Sequence, residues 1–369
     1  MVVKLSPSLI TAWLSCPHYL NLKIEGATSH KTTDSKSSVK PDPKSVDVVA
    51  PVSLATILRE RGLQHETQTL ASLKASGADV FECEVDRTNL NERAVSYLAE
   101  GALGHEVVYQ MPFVHEGMRG IADFVIREGD GHLPVDTKLA RHDAKPGHVL
   151  QLCFYADAVG AATGKRPTHI EIWLGGLDDN GQHKKERHRL SDVDAYWRRM
   201  KGAIKEAIAH PIATSPEPCD HCAFCEFSPR CESEWRTNDA VHFVSGVSRR
   251  DREKLDTVGV TSRAQLATQV GPVASMDPDR LTKIQNQAKL QVAACAVSAD
   301  VPESKIDSRM PIHLLPLGGD QLFPIGLEAL PKPNKGDLFL DYEGHPFWKV
   351  EEGLIFLFGL LFKDGLKWK

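Results

Sequence analysis

The sequence predicts a mixed α/β layer fold: helices, a three-strand meander, then helix, strand, helix. Three observations carry this. First, three β-type runs follow one another, Glu106 to Pro112, Gly120 to Arg127 and Leu133 to Thr137. A Glu128-Gly129-Asp130-Gly131 turn joins the last two. Second, helical apolar spacing flanks them, over 53–76 and 89–101 before, and over 147–163 and 191–209 after. Third, Thr168 to Trp173 inserts a fourth strand between the last two helices.

Taken in order, Ser6-Pro7 opens a helix, with serine at N-cap and proline at the first helical position. Leu9, Ile10, Trp13 and Leu14 repeat at helical spacing, and Cys16-Pro17 ends or kinks the run. Residues 26–50 are dominated by Thr, Ser, Lys, Asp and Pro, which predicts a flexible surface insertion. The helix over 53–76 lines up Leu54, Ile57, Leu58, Leu63, Leu70 and Leu73, with His65-Glu66 inside it. The helix over 191–209 is rich in Arg and Lys. Residues 241–300 read as small helices, where Leu255 to Val260, Ser262 and Leu266-Ala267 form a helix-turn-helix hairpin. A Pro- and Gly-rich linker follows. Asp337 to Tyr342 and Gly353 to Phe362 are two more strands. Two strands and a turn do not make a domain, so this end reads as the beginning of a larger one.

The 369 residues suffice for two or three domains, and 41% hydrophobic with 25% charged content is ordinary for a globular protein. The net charge of −5 gives no global pull on a polyanion, so any nucleic-acid site has to be a local basic groove. No stretch reaches the roughly 18 apolar residues of a membrane span. The N-terminus lacks a signal-peptide pattern, so a cytoplasmic location without membrane partners is expected. Of eight cysteines, four fall between Cys219 and Cys231, a clustering that favours metal binding over disulfides. Cys83, Cys153 and Cys295 lie in apolar contexts and read as core residues.

Chemistry concentrates around Leu133-Pro134-Val135-Asp136-Thr137-Lys138. Asp123 closes a Gly120-Ile121-Ala122-Asp123 run, and a hairpin would bring it to Asp136 at one end of the sheet. Two close carboxylates are costly unless a cation sits between them. Oxygen donors of this kind favour Mg²⁺ or Mn²⁺. Lys138 shares a strand face with Asp136 and can orient or deprotonate a water, or stabilise charge on phosphorus-bound oxygens. His65 adds a nitrogen donor, which leans towards Mn²⁺. Gln151 and Tyr155 share one helix face. Singly, each has an ordinary reading as a turn-former, a solvated ion pair or an exposed histidine; their order is the signal.

That order, His65, Gly120-x-x-Asp123, Asp136-x-Lys138, Gln151-x-x-x-Tyr155, resembles the RecB-like branch of the PD-(D/E)XK nuclease superfamily. The resemblance implies a restriction-endonuclease-like core, a mixed sheet flanked by helices. It implies that His65, Asp123 and Asp136 bind Mg²⁺ or Mn²⁺, with the Thr137 carbonyl as a further ligand. Lys138 would assist catalysis, while Gln151 and Tyr155 support the site and contact DNA. Glu66 competes with His65 for the first motif. Cys16-Pro17 before the core and Cys222-x-x-Cys225-x5-Cys231 after it are similar to the split cysteines of RecB-like nucleases that carry a [4Fe-4S] cluster. That implies a cluster on Cys16, Cys222, Cys225 and Cys231, with zinc as the alternative metal and Cys219 as an alternative to Cys16. Leu338 to Glu343 resembles the first motif of DEDD-type, RNase H-like 3′–5′ exonucleases, without that site's remaining acids.

The expected domains are therefore a nuclease with split cysteines over 1–235, a helical hairpin connector over 240–305, a linker over 306–335, and the start of an RNase H-like domain over 336–369. The expected function is metal-dependent DNA hydrolysis, on single strands, in repair, recombination or defence, beside a helicase domain or protein. The alternatives are a non-cleaving nucleic-acid-binding module of a helicase–nuclease and a zinc-stabilised interaction protein.

Overall fold

A computed structural model describes residues 4–29, 54–84, 88–299, 311, 329–364 and 367–368. The insertion expected at 26–50 and the linker at 306–335 lie largely outside the described residues. Helix α1 (Pro7–Ser15) begins as its sequence dictates: Ser6 is extended, and its hydroxyl accepts from the Leu9 amide at 3.2 Å. Ser6→Ala removes that cap, and urea unfolding should show a loss of about 1 kcal/mol. Cys16 turns extended and ends α1, and Pro17 starts α2 (Pro17–Ser29). Then come α3 (Leu54–Ala75), β1 (Val80–Glu82), α4 (Leu90–Ala99), β2 (Val107–His115), β3 (Met118–Glu128), β4 (Gly131–Lys138) and α5 (Pro146–Thr163). Strands β5 (His169–Leu177) and β6 (His183–Arg189) precede α6 (Asp194–Ala209).

The six strands pair in chain order. β2, β3 and β4 form the expected antiparallel meander, closed at Glu128↔Gly131. β4 and β5 are parallel, with α5 as the crossover between them. β1 and β6 are additions to the expected set. β1 has only three residues, and β6 reads His-Lys-Lys-Glu-Arg-His-Arg, with no apolar alternation to reveal it. Both are edge strands; the charge of β6 and the shortness of β1 discourage pairing with another chain.

The sheet buries both faces. Val125 joins a large cluster with Leu152, Phe154 and Val159 of α5, Ile10 of α1 and Trp197 of α6. Its neighbour Phe124 joins a smaller cluster with Val135, Trp173 and Leu70 of α3. The pleat sends adjacent residues to opposite faces, so helices cover each side. Cys83 and Cys153 are core residues, as expected, and burial pushes both thiols up to about 12.

Residues 225–337 form a second unit. It contains α7 (Ser228–Thr237), α8 (Arg249–Asp256), α9 (Arg263–Thr268) and α10 (Pro278–Ala299). Val244, Leu255, Leu266, Ile284 and Ala288 fill its core. The expected hairpin is α8–α9, turning through Gly259 at φ +73. Cys295 corrects the core expectation: it is exposed on α10, 3.6 Å from an Arg263 guanidinium nitrogen. The buried stripe of α10, Leu281, Ile284 and Ala288, ends before it.

β7 (Leu338–His345), β8 (Leu354–Asp364) and β9 (Lys367–Trp368) form an antiparallel sheet that belongs to the first unit. The loop between β7 and β8 is tied to the six-stranded core. Arg141 donates to the carbonyls of Pro346 (2.7 Å) and Val350 (3.2 Å), and Arg61 to that of Phe347 (3.1 Å).

Candidate active site

The site forms where β3 and β4 part company. The β3–β4 ladder runs from Glu128↔Gly131 to Phe124↔Val135 and stops there. Beyond that point β3 continues against β2 as far as Met118↔His115. β4 instead continues against β5 as far as Lys138↔Leu174. Asp123 and Asp136 are the first residues past the split, one on each arm. The sequence places the two carboxylates at the end of the sheet; the structure places them in this fork, with Asp123 in mid-strand because β3 starts at Met118. The Asp123 carboxylate replaces the missing ladder partner, accepting from the Thr137 amide at 2.9 Å and the Thr137 hydroxyl at 3.0 Å.

Asp136 is buried, and its Oδ2 lies 2.5 Å from the Lys138 ammonium. Burial, reinforced by Asp123, pushes the Asp136 carboxyl up to about 7, while Lys138 pulls the other way. Burial works against the Lys138 charge, but Asp136, then Asp123 and Glu66, outweigh it and hold its pKa above the ordinary lysine value. The lysine therefore stays cationic and the aspartate is poised.

α3 brings both first-motif candidates to the fork. Glu66 accepts from the Gln110 side-chain amide, and burial and Asp123 together raise its pKa. Gln110 reaches it because its backbone is left-handed (φ 57) and drops out of the β2–β3 ladder between Tyr109↔Phe124 and Met111↔Ala122. His65 is fully buried, with Nε2 3.2 Å from the Trp173 carbonyl and its ring edge-on to His183 at 4.6 Å. Burial holds it below the ordinary imidazole range, hence neutral. A carbonyl only accepts, so Nε2 carries the proton and the lone pair rests on Nδ1. That Nδ1 has no hydrogen-bond partner among the described residues.

Tyr155 donates to the Ile121 carbonyl at 2.6 Å and is only 7% exposed. It braces β3 two residues before Asp123, which leaves little of it to meet DNA. Glycine is needed at 120, because a Cβ there would lie 2.8 Å from the Tyr155 hydroxyl oxygen. Gln151 is half-buried one helical turn earlier.

Sequence reasoning passed over Gly175-Gly176. The Gly175 amide donates to the Ala140 carbonyl at 3.0 Å, and a Cβ on Gly176 would fall 2.0 Å from the Arg141 carbonyl oxygen. The pair lets the chain leaving Lys138 lie directly on β5. A doubled glycine inside an apolar strand is the signal that could have found it.

Of the cysteines, Cys16 ends α1 and Cys222 lies in a short 3-10 turn, Asp220–Phe224. Cys219 and Cys222 have sulfurs 3.8 Å apart. Cys225 and Cys231 belong to the second unit. Among the described residues, no three His, Cys, Asp or Glu side chains form a ready-made metal cage.

The family model of the PD-(D/E)XK nuclease superfamily matches residues 25–232, more than half of the chain. No curated protein gives a match. The chain belongs to the PD-(D/E)XK nuclease superfamily, and its six-stranded mixed sheet flanked by helices is the core such a nuclease requires. Members are metal-dependent nucleases acting on nucleic acid. No helix of the described residues is long and apolar enough to cross a membrane.

Proposed function

We propose that the fork of β3 and β4 hydrolyses phosphodiester bonds in DNA, with single strands preferred and Mg²⁺ or Mn²⁺ required. The observation that carries this is the Asp136–Lys138 pair held beside Asp123 where the strands diverge. The donor set fits the metal. Mg²⁺ is held by one or two carboxylates plus water and substrate oxygens, not by an all-protein cage. Asp123 and Asp136 would supply the carboxylates, and the unpartnered His65 Nδ1 would supply a nitrogen donor of the kind Mn²⁺ takes more readily than Mg²⁺. When bound, such an ion supplies Lewis-acid stabilisation and a more acidic water.

The protein's own groups do the rest. Lys138, kept charged by Asp136, orients the attacking water and meets the negative charge that develops on the phosphate oxygens. Water's oxygen bonds to phosphorus as the bond to the leaving sugar oxygen breaks. Glu66 adds a third negative group, and Tyr155 fixes β3. Asp136 must lose its proton to serve as a ligand, so Mn²⁺ affinity should climb with pH through about 7, as titration calorimetry can follow.

The finer reading is RecB-like: a [4Fe-4S] cluster on Cys16, Cys222, Cys225 and Cys231, a helicase partner, and a cytoplasmic role in repair, recombination or defence. Residues 336–369 are read as the opening of an RNase H-like domain. The cysteine spacing and the Asp341-x-Glu343 strand support it. The test combines anaerobic purification, iron and sulfide assay, and digestion of end-labelled single-stranded DNA with Mn²⁺. Binding without cleavage in every divalent metal would reduce the chain to a nucleic-acid-holding module. A colourless protein with one zinc would remove the cluster.

A further inference from the structure

The chain's net negative charge requires any polyanion site to be local, and one cleft of the first unit has that character. It encloses about 610 Å³ between α1, α2 and the start of β3. Lys4, Lys23 and Arg119 line it, and among the described residues no carboxylate does. Arg119 is half-buried and forms no ion pair with a carboxylate among the described residues. With no carboxylate in the lining to neutralise them, these cations leave the wall open to an anion that arrives from outside. Lys23 is held over the Tyr19 ring at 5.3 Å, which presents its ammonium to the cleft.

The cleft also has a direction. Its floor includes Gly120, Ile121 and Tyr155. Gly120 precedes Asp123 by three residues on β3, roughly 10 Å along the strand. An anion in the cleft therefore sits one or two phosphate spacings from the fork. Its volume falls in the range of small-ligand sites, about 300–1,000 Å³. That volume holds a nucleotide or two of one strand and not the paired strands of a duplex segment.

We propose that this cleft is the track that feeds a single nucleic-acid strand to the fork, with Arg119, Lys23 and Lys4 pairing successive phosphates. The proposal rests on the nuclease reading above and gives its preference for single strands a place and named residues. Its selectivity is for strandedness, because cations that read phosphates carry no base information.

The experiment reads binding apart from chemistry. Anisotropy of a labelled oligothymidine, with Ca²⁺ in place of Mn²⁺, is followed across a salt series for the full chain and for Arg119→Ala, Lys23→Ala and Lys4→Ala. Each of the first two should weaken binding roughly tenfold. Each should also flatten the plot of log affinity against log salt by about 0.7. Lys4 is exposed before the first helix, so its variant keeps the fold and should still lower the slope. Hydrolysis of bis(p-nitrophenyl) phosphate, too small to span the cleft, should be unchanged. Unaltered affinity and slope in all three variants would overturn the track, as would equal loss of a blunt duplex. If the chain proves inert towards every diester yet the variants still lower the slope, the nuclease reading fails and the track stands.

Discussion

Lys138→Ala is expected to cut Mn²⁺-dependent cleavage by roughly 10²–10³-fold, the usual loss when one stabilising charge is removed from a reacting centre. It should also change how stability depends on pH. Asp136 in the folded chain titrates near 7, above its ordinary 3.8, so the folded form keeps a proton that the unfolded chain releases. Stability from this group is full below the ordinary carboxylate range and declines as pH rises towards 7. Lys138 opposes the shift, so its removal moves the folded value higher and extends the decline upward. Melting of the metal-free variant should match the parent near pH 5 and fall progressively below it above about pH 7. Equal melting at both ends, with cleavage intact, would mean that the Asp136–Lys138 pair has no part in catalysis.

Gly176→Ala is the second large effect. The added Cβ meets the backbone carbonyl of Arg141 at 2.0 Å, and neither atom belongs to a side chain that can swing aside. Either β5 or the segment after Lys138 must move. Overpacking ordinarily costs about 1–3 kcal/mol, and a backbone-to-backbone clash belongs at or beyond the top of that range. The displaced segment carries the Lys138 end of β4, so cleavage should fall even at temperatures where the variant remains folded. Gly181→Ala is the comparison, since nothing lies within 4 Å of its Cβ position. It probes the ordinary cost of a residue at φ +73.

Much of this was legible in the sequence for identifiable reasons. Ser6-Pro7 and the Glu128 to Gly131 turn act through their own backbones, so local rules sufficed. The His65, Asp123, Asp136, Lys138 order survived as one neighbourhood because the hairpin register is set by which face is apolar. The fork was not legible. It arises because β3 keeps β2 along its length while β4 exchanges β3 for β5 after Val135, and strand partners are not written in either strand alone. Gln110 illustrates the limit: nothing in Tyr-Gln-Met announces a left-handed residue, yet that conformation places its amide on Glu66. His65 and Glu66 stay hard to rank because adjacent helical residues both reach the fork, one as a buried imidazole and one as a carboxylate. Cys295 was misread because an apolar neighbourhood in sequence is not a packed one in space.

The N-terminal helices carry a consequence for synthesis. His18 on α2 pairs with the Thr214 hydroxyl at 2.9 Å, across 196 residues. Asn21 holds the Ile212 carbonyl at 2.6 Å. Leu5 bridges to Met118, and α1 lies against α5. At about 5–20 residues per second, the ribosome needs roughly 10–40 s to make the residues between His18 and its partner. Until β3 and α5 have been made, the apolar faces of α1 and α2 lack the surfaces that cover them in the native fold, and the polar ties to residues 212–214 form later still. The nascent chain therefore emerges with its N-terminal helices waiting for β3 and α5, and the His18 and Asn21 ties are the last of their contacts to become available.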